Sequence, residues 1–269
     1  MSEQLNINDI ITLVKETNKQ FETTVYVPSM GKDIQCKSMN ASHLKNIIKT
    51  SVSGIFSNIK FNMTMYTVLR DVLDNAVASS NINILDKLCI MLQLRNKNVK
   101  NIVEVEMFNG ENKKIHSFEI GEIINEVRNK EFNFEPQTIT DGSYTLVLDF
   151  PSIDQEFLFD RYFEQNKLKN IKEDDKSSIR ELFGPLFIHE ISQYVRTLKI
   201  NDKEIDMRTL SVENRVDIIE NLSGSIIALI IHKIDDVFGK QINSIINVEK
   251  QIEGEMYKGT IKLDSSLFS

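Results

Sequence analysis

Residues 84–120, ILDKLCIMLQLRNKNVKNIVEVEMFNGENKKIHSFEI, carry the change of period on which the fold turns. From Ile84 to about Arg95 the apolar residues Leu85, Leu88, Ile90, Met91, Leu92 and Leu94 lie on nearly every side of a helix. A helix apolar all round has no face for water, so this one is expected between layers. Between 101 and 120 the period drops to two. Ile102, Val103, Val105 and Met107 run into Asn109-Gly110-Glu111-Asn112, and Ile115, Phe118 and Ile120 return. Asn-Gly between two such runs signals a hairpin, because its backbone twist matches that of the flanking strands. A buried helix followed at once by a local hairpin is not a βαβ alternation. The expected class is α+β, with helical clusters packed against short antiparallel hairpins in mixed order.

The same reading extends towards the N-terminus. Residues 62 to about 78 place Met65, Val68, Leu69, Val72, Leu73, Ala76 and Val77 on one helical stripe, with Arg70, Asp71 and Asp74 facing away. An earlier helix is capped by Asn40 or Ser42 and runs to about Ser53, with Leu44, Ile47 and Ile48 inward. Before it, TTVYVPSMGKDIQCKSM reads as two strands joined by Pro28-Ser29-Met30-Gly31, since proline presets a turn and glycine completes it. Residues 8 to 20 form a short amphipathic helix with Ile10, Ile11 and Val14 on one side.

Towards the C-terminus, a short helix over 120–129 and a strand over Tyr144–Phe150 precede a helix opened by Pro151-Ser152 and running to about 168. KLKNIKEDDKSS, residues 167–178, is the most polar stretch and divides an N-terminal part (1–166) from a C-terminal part (179–269). The second part begins with a helix over 179–193 that Gly184-Pro185 should kink or break. A hairpin follows over Tyr194–Met207, then a helix capped at Ser211, a longer one over Ser223–Ile245, and two strands around Glu253-Gly254.

Composition excludes several kinds of chemistry. The 269 residues carry 32 Lys plus Arg against 39 Asp plus Glu, and a net charge of −7 does not suit a nucleic-acid binder. The longest apolar run, Ile226–Ile231, is far short of the roughly 20 residues needed to cross a bilayer. The first twenty residues lack the apolar core of a secretory signal, and Cys36 and Cys89 are expected as free thiols in a reducing cytoplasm. His43, His116, His189 and His232 stand far apart, and neither cysteine has a nearby partner, so no metal site is read. Ser29-Met30-Gly31-Lys32 lacks the upstream glycine and the following Ser or Thr of a phosphate loop. No nucleophile motif has its supporting partners, and with 39 acidic residues no carboxylate pair stands out; His189-Glu190 is only an adjacent pair. No catalytic, cofactor-binding or metal residues are assigned, and no cofactor is expected.

YVPSMGKDIQCKSMNASHLKNIIKTS resembles the opening of the T4-like bacteriophage baseplate hub proteins: a strand, a Pro-Ser-x-Gly turn, a second strand and a helix entered through a polar cap. NINILDKLCIMLQLRNKNV is similar to that family's helix with an Asp, apolar residues and an Arg before a β segment, with Asp86 and Arg95 in those places. The ending Asp264-Ser265-Ser266-Leu267-Phe268-Ser269 resembles its terminal aromatic tail. Residues from about 100 to 175 match in pattern rather than in residues.

The resemblance implies a non-enzymatic structural subunit or assembly factor of the central hub of a contractile tail. It would work in the host cytoplasm during assembly or in the virion baseplate. Its partners would be other tail and hub proteins, with no nucleic acid or membrane, and nothing fixes an oligomeric state. Residues marked by the resemblance are Pro28, Ser29, Gly31, Asp86, Arg95, Leu267 and Phe268. The contact surface is expected around Pro28–Gly31 and at the tail, where Phe268 either anchors a partner or packs on its own domain. Two other readings stand beside it: a tail-associated cell-wall hydrolase and an unrelated cytoplasmic scaffold.

Overall fold

A computed structural model describes residues 6–19, 22–52, 57–74, 76–169 and 180–268. The chain opens with α1 (Ile7–Lys19), followed by a hairpin of β1 (Glu22–Val27) and β2 (Lys32–Lys37). Then come α2 (Ala41–Lys49), α3 (Ser57–Leu73) and α4 (Ile84–Asn98). Asn40 is the residue that caps α2: its side chain accepts from the His43 N–H while the Asn40 N–H donates to His43 Nδ1. Ile47 is buried and Leu44 half-buried, but Ile48 is exposed, so the inward face of α2 is narrower than the sequence suggests.

In α3 the stripe holds from Met65 to Leu73 and then ends. The Ala76 N–H turns back to Leu73 O at 2.8 Å, which closes the helix and leaves Ala76 exposed. Helix α4 is buried continuously from Leu85 to Arg95 and packs against β1, as its all-round apolar character predicts.

The hairpin of β3 (Ile102–Asn109) and β4 (Asn112–Glu119) leads into α5 (Ile120–Asn129). Next come β5 (Gln137–Asp141), β6 (Tyr144–Leu148) and α6 (Ile153–Phe163), which widens into a π-helical turn over Glu164–Leu168. Residues 170–178 of the expected polar linker, and Ile179 after it, lie outside the described residues, as do Ser53 and Ser269. The helix expected over 179–193 is interrupted just ahead of Gly184-Pro185: a turn at Leu182 separates helical Arg180 and Glu181 from α7 (Phe183–Ser192). The proline is the third helical residue, where an N–H would have no partner inside the helix. Strands β7 (Val195–Ile200) and β8 (Lys203–Asp206) precede α8 (Val212–Glu220) and α9 (Gly224–Lys233). The helix expected over 223–245 runs unbroken, with a π-helical stretch over Ile234–Gly239 joining α9 to α10 (Lys240–Ile246). Strands β9 (Asn247–Ile252) and β10 (Glu255–Thr260) follow, and a 3-10 turn over Ser265–Phe268 ends the described chain.

Among the described residues there are, besides the β1–β2 hairpin, two antiparallel four-stranded sheets, ordered β4-β3-β10-β9 and β5-β6-β7-β8. Each joins strands from before and after the polar segment. Leu146 pairs with Leu198, and Met107 with Gly259. At Gly259 a Cβ would lie 2.7 Å from Glu106 O and from Val105 Cγ1, so only glycine lets β10 close on β3. The expected parts 1–166 and 179–269 therefore share both sheets and one hydrophobic core. The tail completes that core by lying against α2, with Leu267 and Phe268 each 2% exposed.

Candidate functional site

The residues marked by the sequence resolve into two places, and a third site emerges that the sequence did not mark. The first is the β1–β2 turn. Pro28 is buried, and Gly31 takes φ +59°, a left-handed conformation, to let its N–H reach Pro28 O at 3.1 Å. Asp86, in the first turn of α4, accepts from the Ser29 N–H at 2.8 Å, the Ser29 hydroxyl at 2.6 Å and the Asn83 N–H at 3.1 Å. Its own N–H donates to the Asn83 side chain at 2.9 Å, closing a capping box. Burial pushes the Asp86 carboxyl above the ordinary carboxylate range, and the Ser29 and Asn83 hydrogen bonds oppose that shift.

Two turns further along α4, the Gln93 amide accepts from the Tyr26 N–H at 2.7 Å and donates to Tyr26 O at 2.9 Å. The amide thus stands in for a neighbouring strand at the edge of β1. Arg128 of α5 lies over the Tyr26 ring, 4.4 Å from its centroid, and pairs with Asp33 of β2. Pro28, Ser29, Gly31 and Asp86 therefore form one locked junction between hairpin and helix.

Arg95 and Leu267 belong to the second place, a cavity of about 360 Å³ beside β3. The Arg95 side chain is buried, and among the described residues its Nε and Nη1 have no hydrogen-bond partner. Burial lowers the guanidinium pKa, against the pull of Glu104. Phe268 is in the core, so the reading of an exposed terminal anchor is corrected: the tail caps its own domain.

The third site is a cleft of about 470 Å³ between α3, α6 and α7. Glu156 and Asp160 lie one turn apart on α6 and share a face. Lys87 of α4 donates to both Glu156 oxygens at 2.6 Å and to Asn62 Oδ1 at 3.1 Å, so this cation is already engaged. Asp160 is 5% exposed, and among the described residues its Oδ2 accepts nothing. Its carboxyl is held well above the usual range, first by burial and then by Glu156 and Glu190, with Lys87 and Asn62 opposing. Glu190, at the mouth, is also pushed up by desolvation.

His189 is buried in a cage of Phe159, Tyr162 and Phe163, at 4.9, 6.5 and 5.1 Å between ring centroids. Burial depresses its pKa to about 4, so the ring is neutral near pH 7, and neither nitrogen has a partner among the described residues. Also among the described residues, no three His, Cys, Asp or Glu side chains are grouped to hold a metal ion. The i, i+4 spacing of Glu156 and Asp160 and the His189-Glu190 pair were visible in the sequence, but one acidic pair among 39 acidic residues carried no distinguishing signal.

No helix of the described residues is long and apolar enough to cross a membrane. Compared with protein-family models, curated proteins and solved structures, the chain matches none of them.

Proposed function

We propose that this protein is a non-enzymatic component of the central baseplate hub of a T4-like contractile-tailed phage, a structural subunit or an assembly factor, acting through contacts with other hub proteins. The observation that carries the reading is the Ser29–Asp86 junction. The two segments on which the resemblance rests lie 57 residues apart at these positions, yet their marked residues bond directly to one another. A second observation agrees with work by contact: Ile7, Ile10, Ile11 and Val14 of α1 present apolar side chains to solvent. The test is a phage genome lacking this coding sequence. Infection should yield tails without hubs, restored by supplying the chain in trans. Normal hubs and infectious particles without it would sink the proposal. Whether the protein persists in purified virions separates a subunit from an assembly factor.

One observation favours a second reading, a cell-wall hydrolase. Asp160 and Glu190 are carboxyls with raised pKa in one cleft, the kind of group that can serve as a general acid. Against it, Glu156, the neighbouring carboxylate, is tied to Lys87. A peptidoglycan zymogram decides: clearing by the wild type and none by Asp160→Asn would establish the hydrolase.

A further inference from the structure

We propose that the cleft between α3, α6 and α7 is a receptor for an arginine side chain presented by a protein partner. The guanidinium would reach Asp160 at the floor, and its alkyl stem would lie between Phe183 and Phe187 at the rim. This deepens the protein-contact reading above and rests on it.

The lining defines the occupant. Buried polar atoms are ordinarily hydrogen-bonded, and here Asp160 Oδ2 and both His189 nitrogens have no partner among the described residues. A carboxylate oxygen and the unprotonated nitrogen of a neutral imidazole are acceptors, so two of these three atoms call for a donor, while the remaining imidazole N–H calls for an acceptor. Guanidinium has donors only, in a planar fork that suits a carboxylate.

Charge points the same way. Glu156, Asp160, Glu190 and Asp235 line the cleft, and Lys87, the nearby cation, is engaged by Glu156. Asp235 and Glu190 stand exposed at the mouth, where they would steer a cation inward. A divalent metal is disfavoured, because among the described residues no three ligating side chains converge. The rim argues for a side chain with an apolar stem rather than a bare ion. Phe183 and Phe187 lie one turn apart on α7 and are 60% and 40% exposed, unusual for phenylalanine. Exposed aromatic residues around a charged floor are the composition of a binding hot spot, and arginine stacks well on aromatic faces. At about 470 Å³ the cleft falls in the range of sites that enclose a small ligand.

The experiment titrates the full chain with n-butylguanidinium, a free arginine-like head and stem, and follows His189 and Tyr194 by NMR. The neutral isostere n-butylurea and calcium chloride are titrated in parallel. Butylguanidinium is expected to give saturable shifts in the millimolar range, the affinity open to so small a probe, at least tenfold tighter than butylurea. Asp160→Asn should weaken it tenfold or more and Phe187→Ala several-fold, with circular dichroism confirming that each variant is folded. Equal binding of butylurea, calcium binding tighter than butylguanidinium, no saturable shift, or undiminished binding by a folded Asp160→Asn would each overturn the proposal. Failure here leaves hub assembly in the deletion phage untouched, so the two readings fall separately.

Discussion

Asp86, in the first turn of α4, and Asp160, in the last turn of α6, are both buried aspartates, and both have carboxyls pushed above the ordinary range by burial. Their surroundings differ. Asp86 accepts three hydrogen bonds, two from the hairpin and one from its own N-cap. Asp160 has an oxygen with no partner among the described residues and feels two further carboxylates. A satisfied buried carboxyl holds two pieces of chain together; one left short of donors and crowded by like charge works against the fold that contains it. The second kind is expected where a ligand supplies what the protein does not.

The comparison breaks first at Asp86. Asp86→Ala leaves the Ser29 N–H, the Ser29 hydroxyl and the Asn83 N–H without their acceptor and removes half of a capping box. Three partly buried donors left unmet at about 1 kcal/mol each, with the loss of the cap, should show in urea unfolding as a loss of about 3 kcal/mol or more. A loss under about 1 kcal/mol would mean the junction is ornamental to stability.

A smaller effect comes from His189, whose pKa lies near 4 in the fold against 6.5 ordinarily. Between those values the unfolded chain binds a proton that the folded one refuses, so stability is present above about 6.5 and is lost as pH falls towards 4. The loss is on the order of 2–3 kcal/mol. His189→Phe, in a cage of Phe159, Tyr162 and Phe163, should flatten that part of the pH profile. An unchanged acid slope in the variant would show that His189 is not the group responsible.

The turn itself ranks next. Ser29→Ala removes one of the three bonds to Asp86 and should cost about 1 kcal/mol. Gly31→Ala, at φ +59° with open space around it, should cost about 1–2 kcal/mol from backbone strain alone. Combined with Asp86→Ala, Ser29→Ala should add little, since its partner is already gone. Full additivity in a double-mutant cycle would show that the two residues do not act as one junction.

What the sequence disclosed follows from which forces are local. The hairpins at Pro28, Asn109 and Asn201 and the helices opened by Asn40, Ser152, Ser211 and Ser223 were legible, because turn chemistry, caps and period act within a few residues. Strand β5 escaped because Ile139 is the one large apolar residue in Gln137–Asp141. The joining of β6 to β7 and of β3 to β10 escaped because such pairing is decided across the whole chain. Of the marked residues, Ser29 and Asp86 meet, whereas Leu267 and Phe268 turn inward, which no spacing rule encodes. The Asp160 cleft was hidden for a related reason: burial gives the carboxyl its character, and a row of letters shows identity but not burial.

The smallest expected effect on stability is the most discriminating. Asp160→Asn keeps the shape of the side chain and removes a charge the site disfavours, so at pH 7 its stability should lie within about 1 kcal/mol of wild type, on the stabilising side. The sign of its pH dependence is opposite to that of His189. A carboxyl whose folded pKa is raised gives stability that is full below the ordinary carboxylate value and is lost as pH rises through the folded value, because there the native state holds a proton the unfolded chain has released. Asp160→Asn should remove that decline while leaving the His189 slope in place. If it instead destabilised the protein as much as Asp86→Ala, Asp160 would be a structural carboxyl like its counterpart, and the contrast between the two sites would vanish. A near-neutral variant that has lost butylguanidinium binding would keep the distinction and give it a function: one aspartate closes the fold, and the other is left open for a partner.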